Sequence, residues 1–452
     1  MLRVGGLGAL GLSLPQLLAA RDAQAASRVA GVVRPSGGKA RSCIVLFLMG
    51  GPPQHSTWDP KPEAPAEVKG EIGSIATKVA GLQVGELMPG LAANAHRLAV
   101  LRAVSTRDNA HSSSGYYMLT GHPHLPMNAE NANPGAPNNW PYLGAVVQQL
   151  TENPGNLPSC VRLPMHIFNT DGSIWPGQDG GFLARSSNPW LFRCEPASAN
   201  YRIPEFSLPV EVPADRLTGR HALLRQFNRQ LDAAQRLGAL ENYDGITQRA
   251  FDLLSSPQAR QAFHIELESA ETRERYGHSQ FGQSCLLARR LIEAGVHLVH
   301  VNWFRGPDEP SDAPCWDSHA RETKRLKEVL IPPWDRAFSA LLEDLAERSM
   351  LDETLVVCMA EFGRTPRFNG NAGRDHWGPV FSIALGGGGV QGGIVHGASD
   401  RLGAYPKDGL VRPEDITATI FHCLGYSADS TLRDPQGRDF AVSHGDILHA
   451  IL

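Results

Sequence analysis

The side chains best suited to bind a metal ion stand in two short segments in the second half of the chain. One segment carries Glu361 at the end of an apolar run, followed by the adjacent pair Asp375 and His376. The other carries Asp317 and His319, a spacing at which a carboxylate and a neutral imidazole can bind one ion. These five residues are the predicted ligands. The expected cofactor is a divalent cation, with zinc, calcium, manganese and iron as candidates.

A histidine followed by three serines, His111 to Ser114, is predicted to begin a helix that Asp108 or Asn109 caps. The N–H groups and positive dipole end of a helix start form a natural pocket for an oxyanion. His111 and Ser112 are therefore the candidate catalytic residues. Capping alone explains the serines equally well, so both interpretations stay open.

Residues that could contact a substrate follow a predicted turn. The first strand ends in consecutive Gly and Pro residues, which let a backbone approach a ligand closely. His55 and Asp59 come directly after this turn, and Arg364 follows Glu361. We predict these three as substrate-binding residues. A turn with surface polar groups is the alternative for His55 and Asp59.

Apolar strand-like runs alternate with helical patterns, which predicts an α/β fold with a doubly wound, largely parallel sheet sandwiched by helices. The predicted strands are Cys43–Met49, Leu98–Val104, Val296–Val301, Thr354–Met359 and Phe381–Leu385. Predicted helices cover Gln283–Ala294 and the region of Trp334 to Leu345. The segment 123–276 is loop-rich and then helical, and we predict it to be an insertion into a domain spanning 40–452. Metal ligands then fall at strand ends, where ligands of such sheets bind.

Composition limits the class of protein. The chain has 452 residues, whereas single hydrophobic cores stop growing at roughly 250–300 residues. The chain is therefore long enough for more than one core. Its 42% hydrophobic and 19% charged residues are typical of a globular protein. The formal net charge of −4 argues against a nucleic-acid partner.

The amino terminus has the pattern of an export signal. Arg3 precedes an apolar run from Val4 to Ala20, and Ala23-Gln24-Ala25 resembles a cleavage site. We predict residues 1–26 to be this signal. The stretch LRVGGLGALGLSL resembles the part that follows the arginines of a twin-arginine signal, although those arginines are absent. The prediction is a periplasmic or extracellular protein, with the twin-arginine machinery as a partner.

The seven cysteines permit disulfides in an exported protein. Cys160 and Cys194 lie in irregular sequence and are the predicted pair. Cys43, Cys285 and Cys358 lie in apolar patterns, so we expect them to be buried thiols.

Several motifs together resemble the domain-of-unknown-function 1501 family, within the wider alkaline phosphatase and sulfatase superfamily. They span nearly the whole chain beyond the signal: GGPPQHSTWDPKP, HSSSGYYMLTG, YGHSQFGQSCLLARRLIEAGVHLVHV, WDSH, AEFGRTPR and GRDHW. Enzymes of that superfamily have a doubly wound α/β core, usually two metal ions, and a nucleophile at a helix start. The resemblance implies the same for this chain.

The resemblance also implies roles for single residues. Glu361 takes the place of a metal-binding aspartate, and His376 that of the late histidine ligand. Asp317 and His319 take the place of an earlier pair of ligands. His111 stands where the nucleophile is expected, so a nucleophile, a general base and an extra ligand are all open for it.

Two functional classes follow. The first is an exported, metal-dependent hydrolase of sulfate or phosphate esters, with an anionic small molecule or polysaccharide as substrate. The second is a catalytically degenerate, metal-stabilised binding protein of the cell surface with the same fold.

Overall fold

A computed structural model describes residues 38–151, 157–169, 171–183, 185–198, 201, 256–303, 315–427 and 429–452. The predicted export signal at 1–26 lies outside the described residues. So does the stretch 202–255, which holds most of the helical part of the predicted insertion.

The described strands are numbered in chain order. They are β1 (Ser42–Phe47), β2 (Ser74–Ala76), β3 (Gln83–Gly85), β4 (Leu98–Val104), β5 (Cys160–Leu163), β6 (Trp190–Leu191), β7 (Leu298–Asn302), β8 (Thr354–Met359), β9 (Gly363–Arg364), β10 (His376–Trp377), β11 (Phe381–Gly386), β12 (Ile394–His396), β13 (Ala398–Ser399), β14 (Pro406–Asp408), β15 (Thr431–Arg433) and β16 (Asp439–Ala441).

Eight of these strands form the central sheet, in the order β12-β4-β11-β8-β1-β7-β5-β6. Strand β11 runs antiparallel to its neighbours β4 and β8. The other neighbouring pairs are parallel. The predicted α/β fold with a largely parallel sheet is therefore confirmed.

The central strands are apolar along their whole length because both faces of the sheet are covered. All six residues of β1 and all six of β8 are buried. Continuous apolar runs of this kind are typical of parallel strands covered on both sides. The predicted bounds of β4 and β8 agree with the structure, and the other three predicted strands differ from β1, β7 and β11 by one or two residues at an end.

Two strands of the central sheet, β5 and β6, come from the segment that was predicted to be an insertion. Part of the segment 123–276 is therefore built into the central sheet. Cys160 belongs to β5, where it is a buried thiol outside any disulfide, so the predicted pairing with Cys194 is not formed. The strand is only four residues long, which is why its apolar pattern was too short to recognise.

Helices flank the sheet. They are α1 (Ala66–Lys69), α2 (Pro89–Asn94), α3 (His111–Thr120), α4 (Leu143–Leu150), α5 (Pro257–Ala262), α6 (Ala270–Tyr276), α7 (Gln280–Glu293), α8 (Glu322–Arg325), α9 (Ile331–Glu347) and α10 (Pro413–Cys423), and a π-helical segment, Leu326–Leu330, joins α8 to α9. Helix α9 has prolines in its first turn, directly after the π-helical segment. Its buried face packs against α7 and α2. Among the described residues, no helix combines the length and hydropathy that a membrane span needs.

Candidate metal centre

The candidate site lies at the carboxyl ends of β1 and β8. Glu361 follows β8 after one residue, and a turn containing Gly50 follows β1. Gly50 has a φ of 109°, and a Cβ there would lie 2.2 Å from the backbone nitrogen of Asp317. Only glycine therefore permits the segment of Asp317 to pack against this turn. Helix α3 brings His111 to the same place, because the Ser114 hydroxyl donates to the carbonyl of Glu361 at 2.6 Å.

Three imidazoles surround the carboxylate of Asp317. The Nε2 atoms of His319 and His376 each lie 3.0 Å from its Oδ1. The Nε2 atom of His111 lies 3.1 Å from its Oδ2. His319 and His376 are themselves only 2.9 Å apart, measured between their Nε2 atoms. The WDSH and GRDHW segments thus meet at one carboxylate.

The other ring nitrogen of each histidine contacts an acceptor. Nδ1 of His111 lies 2.8 Å from Oε1 of Glu361, and Nδ1 of His319 lies 2.8 Å from Oδ1 of Asp375. Nδ1 of His376 lies 2.7 Å from the carbonyl of Asn109. Because a carbonyl or carboxylate can only accept, each Nδ1 can donate, and the neutral tautomer with its proton on Nδ1 leaves Nε2 free to bind a cation in place of a proton shared with Asp317. In the neutral tautomers, all three Nε2 lone pairs then face Asp317, an arrangement typical of ligated histidines.

Glu361 is fully buried, and only one of its two carboxylate oxygens accepts hydrogen bonds from the described residues. Its Oε1 accepts from His111 and from the backbone N–H of Gly50, the latter at 2.8 Å. Its Oε2 has no hydrogen-bond partner among the described residues. A buried carboxylate oxygen without a donor is costly, and a cation is one of the few partners that removes the cost.

The protonation states follow from these contacts. Burial alone would lower the pKa of His111, but Asp317 and Glu361 outweigh it and raise that pKa to about 10. Burial and the nearby His111 lower the pKa of His376 to about 4. Burial works to raise the pKa of Asp317, yet His111 and Arg364 hold it well below its usual range. His376 is therefore neutral at pH 7, and a proton on His111 satisfies Asp317 when no cation does.

The donor set fits a divalent ion. His111, Asp317 and His376 offer ligand atoms that all lie within 4.8 Å of one another, and His319 adds a further Nε2 beside them. Zinc ligands lie about 2.0–2.1 Å from the ion, which places neighbouring ligands of a tetrahedral site roughly 3.3 Å apart. The spacings of 2.9–3.1 Å seen here are close to that value. Imidazole and carboxylate suit zinc, manganese and iron, whereas calcium prefers oxygen ligands and fits this set least well.

Arg364 was predicted to bind substrate, but its side chain contacts other groups of the protein. Its guanidinium is fully buried and donates to Oδ1 of Asp317 at 2.6 Å. It also donates to the carbonyls of Gly50, Gly51, Trp316 and Arg374. Because its donors bind groups of the protein, Arg364 holds the turn after β1 against Asp317 rather than facing a substrate.

Ser112 is fully buried and is hydrogen-bonded to residues 128–132. This segment, the strap, also contacts the first N–H of α3. Its hydroxyl donates to the carbonyl of Ala129 and accepts from the N–H of Ala132, both at 2.9 Å. Neither Asp108 nor Asn109 is the N-cap residue of α3, because the N-cap is Ala110, whose side chain makes no capping hydrogen bond. The serine pattern is explained by anchoring of the strap, so Ser112 does not enter the site as a catalytic residue.

The strap places Glu130 at the site. Oε1 of Glu130 accepts from the backbone N–H of His111 at 2.9 Å and lies 3.8 Å from Nδ1 of His376. The carboxylate of Glu130 thus accepts the first N–H of α3, at the position where a pocket for an oxyanion was predicted. Glu130 stands in a Pro- and Asn-rich stretch without periodicity, and no sequence signal identified it.

His55 and Asp59 are buried away from the imidazole cluster. Nε2 of His55 donates to the carbonyl of Leu402 at 2.9 Å, and burial lowers its pKa to about 3. Asp59 is paired with Lys61 at 2.9 Å and with Arg102 at 3.5 Å. Within the part of the chain that the structure describes, neither side chain hydrogen-bonds to the imidazole cluster, where the candidate ligands lie.

Comparison with known proteins identifies the family. The family described as "Protein of unknown function (DUF1501)" matches residues 40–452. The chain belongs to this family. A comparison of the DUF1501 chain with curated proteins gave no match.

Solved structures resemble the DUF1501 chain at low identity. "Ps i-CgsB" is 11% identical with a TM-score of 0.41, and the alignment covers 87% of this chain and 73% of that one. The PsFucS1 sulfatase from Pseudoalteromonas sp. is 14% identical with a TM-score of 0.39, over 86% and 68%. The phosphonate monoester hydrolase SpPMH from Silicibacter pomeroyi is 12% identical with a TM-score of 0.38, over 85% and 74%. At these identities the DUF1501 site has to be judged from its own residues.

Proposed function

We propose that this protein is an exported, metal-dependent hydrolase of sulfate or phosphate esters, of the alkaline phosphatase and sulfatase type. The observation that carries the proposal is the ring of three Nε2 atoms around Asp317, each belonging to a histidine whose Nδ1 contacts an acceptor. The buried, unpartnered Oε2 of Glu361 supports a cation at the same place.

His111, Asp317, His319 and His376 would hold the ion, with Glu361 as a further donor. A divalent cation there would supply Lewis-acid chemistry to the ester. Asp375 and Glu361 orient two of the imidazoles through their Nδ1 atoms. Of the three roles open for His111, a metal ligand agrees best with its position between two carboxylates.

Anionic esters of small molecules or polysaccharides are the proposed substrates. The cluster opens toward solvent on the side of Asp375, whose side chain is 56% exposed, and His319, at 32%. An ester therefore has a path to the imidazoles from that side. Residues 1–26 are proposed to direct export by the twin-arginine route to the periplasm or the extracellular space.

The binding-protein alternative is favoured by one specific observation. The first N–H of α3 is occupied by Glu130, and the Ser112 hydroxyl is committed to the strap. The Ser112 hydroxyl, at the start of α3, is therefore not free to act as a nucleophile. A protein that keeps the metal centre without turnover agrees with this arrangement.

An assay of ester hydrolysis distinguishes the proposed hydrolase from the binding protein. The purified protein is loaded in turn with zinc, manganese, iron and calcium, and is assayed with chromogenic sulfate and phosphate esters. We expect turnover that His111→Ala and Glu361→Ala abolish, while the exposed His278→Ala variant, a control for loss of an imidazole, retains it. Equal background rates in all four proteins would favour the binding protein.

Export is tested by fractionating cells that produce the full chain or a chain lacking residues 1–26. The proposal predicts that the full chain leaves the cytoplasm and that the shortened chain stays there. Export of both forms would contradict the assigned signal.

A further inference from the structure

A buried ion pair joins the two segments that carry the candidate ligands. Nε of Arg374 lies 2.9 Å from Oε1 of Glu322, and both side chains are fully buried. Neither residue belongs to the imidazole cluster. Each one is nevertheless close in sequence to candidate ligands, since Arg374 directly precedes Asp375 and Glu322 follows His319 by three positions.

The pair also holds Ser318, the residue between Asp317 and His319. The Ser318 hydroxyl donates to Oε2 of Glu322 at 3.1 Å, and the N–H of Arg374 donates to the carbonyl of Ser318 at 3.1 Å. The N–H of Arg374 therefore joins the GRDHW segment to the WDSH segment directly, and the ion pair joins them through Glu322 and its hydrogen bond with Ser318.

The backbones of the two segments are in direct contact. The N–H of Glu322 donates to the carbonyl of Ala372 at 2.9 Å. A Cβ at Gly373 would lie 2.0 Å from the carbonyl carbon of His319, so only glycine allows this approach. A displacement of either segment would consequently move its ligands relative to those of the other.

The rest of the Arg374 guanidinium fixes the pair in the fold. It donates to the carbonyls of Thr365 at 2.9 Å and Val68 at 2.6 Å, and it stacks on the ring of Phe368 at 4.0 Å. Burial raises the pKa of Glu322 even with Arg374 beside it. Buried ion pairs contribute little net stability, so such a pair is better explained by the geometry that it imposes than by the energy that it adds.

We infer that Glu322 and Arg374 are positioning residues of the metal centre, which set the register between the WDSH and GRDHW segments without touching the ion. The inference rests on the proposed metal centre. It predicts that metal affinity depends on a side chain that makes no contact with the metal.

Zinc binding to the full-length protein is measured by calorimetry, and ligand geometry by the visible spectrum of the cobalt-loaded protein. Glu322→Gln keeps the shape of the side chain but removes its charge. We expect zinc affinity to fall at least tenfold and the cobalt bands to shift, at a temperature where the variant is folded. Arg374→Lys, which keeps the charge but loses the planar fork, is expected to give a smaller loss.

A matched control is available in the pair Arg289–Asp344, which has the same N–O distance of 2.9 Å and a fully buried arginine. Asp344 lies near the end of α9, where it also contacts Tyr276 and Arg348, and none of these residues belongs to the imidazole cluster. Asp344→Asn should lower the melting temperature while leaving zinc affinity and the cobalt spectrum as in the wild type.

Wild-type affinity and spectrum in Glu322→Gln would overturn the inference, and so would equal losses in Glu322→Gln and Asp344→Asn. If Glu322→Gln does not fold, Ser318→Ala tests the same connection by removing one hydrogen bond to Glu322, and unchanged affinity there counts against it. Failure of the wild-type protein to bind zinc or cobalt is a different result. It would overturn the proposed metal centre and this inference with it.

Discussion

Nε2 of His319 lies 2.9 Å from Nε2 of His376, although 57 positions separate them in the chain. Both rings carry the proton on Nδ1, where Asp375 and the carbonyl of Asn109 accept it. Two neutral imidazoles in these tautomers would therefore point lone pairs at each other and at Asp317. A proton or a metal ion has to lie between them, and the predictions below distinguish these cases.

Removal of one imidazole should weaken metal binding. His376 offers one of the clustered ligand atoms, and its ring is neutral at pH 7. Because loss of an outer-shell partner already costs about 10–100-fold in metal affinity, His376→Ala is expected to lower zinc affinity by about a hundredfold or more. Calorimetry with the wild type, His376→Ala and the exposed His278→Ala variant measures the effect. Zinc binding that survives in His376→Ala at full strength would place the ion elsewhere.

Metal binding should release protons. The pKa of about 10 keeps His111 protonated at pH 7–8, so its Nε2 has to lose a proton before it can bind an ion. His376, with a pKa of about 4, has none to lose. We expect the release of at least one proton and an affinity that rises about tenfold per pH unit for each proton released.

Calorimetry in two buffers with different ionisation enthalpies measures the number of protons. The variant His111→Gln should release about one proton fewer than the wild type. An affinity that is independent of pH between 6 and 9 would exclude His111 as a ligand.

Without metal, stability should fall in alkali. The folded-state pKa of His111, about 10, lies above the unfolded value of 6.5, so its contribution is complete below pH 6.5 and is lost as the pH rises through about 10. The loss is on the order of a few kcal/mol. Urea unfolding of the metal-free protein between pH 6 and 10.5 measures it, and His111→Gln should flatten the curve.

The role of Ser112 can be separated from catalysis. Ser112→Ala leaves the carbonyl of Ala129 and the N–H of Ala132 without their partner, which should cost about 1–3 kcal/mol of unfolding free energy. Zinc affinity should be unchanged, because the hydroxyl contacts the strap and not the imidazoles. A variant of wild-type stability that has lost ester turnover would instead restore Ser112 as a catalytic residue.

Loss of Asp317 should destabilise the metal-free protein more than loss of the exposed carboxylate Asp375. Asp317→Ala removes the carboxylate partner of the buried Arg364, and breaking a buried pair costs up to about 3–5 kcal/mol. Asp375→Ala is the matched control, since that carboxylate is 56% exposed and its pair with His319 is worth less than about 1 kcal/mol. Equal unfolding free energies for the two variants would contradict this assignment.

The sequence by itself determined the class of fold and the residue types of the candidate site. The apolar runs of β4 and β8 predicted those strands within their observed bounds because buried parallel strands are apolar on both faces. Strand β5 was missed, since a four-residue run inside a Pro- and Asn-rich stretch carries too little pattern. Glu361 was predicted as a ligand because it follows an apolar strand, and Asp375 and His376 because they stand side by side in the loop beyond it.

Only the tertiary structure decided which of these residues meet. Asp317, His319 and His376 come together because a buried ion pair and a glycine contact join their segments, and neither feature has a local signature. The same packing directs Ser112 to the strap, buries Arg364 against carbonyls and brings in Glu130. Side-chain direction and hydrogen-bond partners depend on residues that are distant in the chain, whereas periodicity reports only on near neighbours.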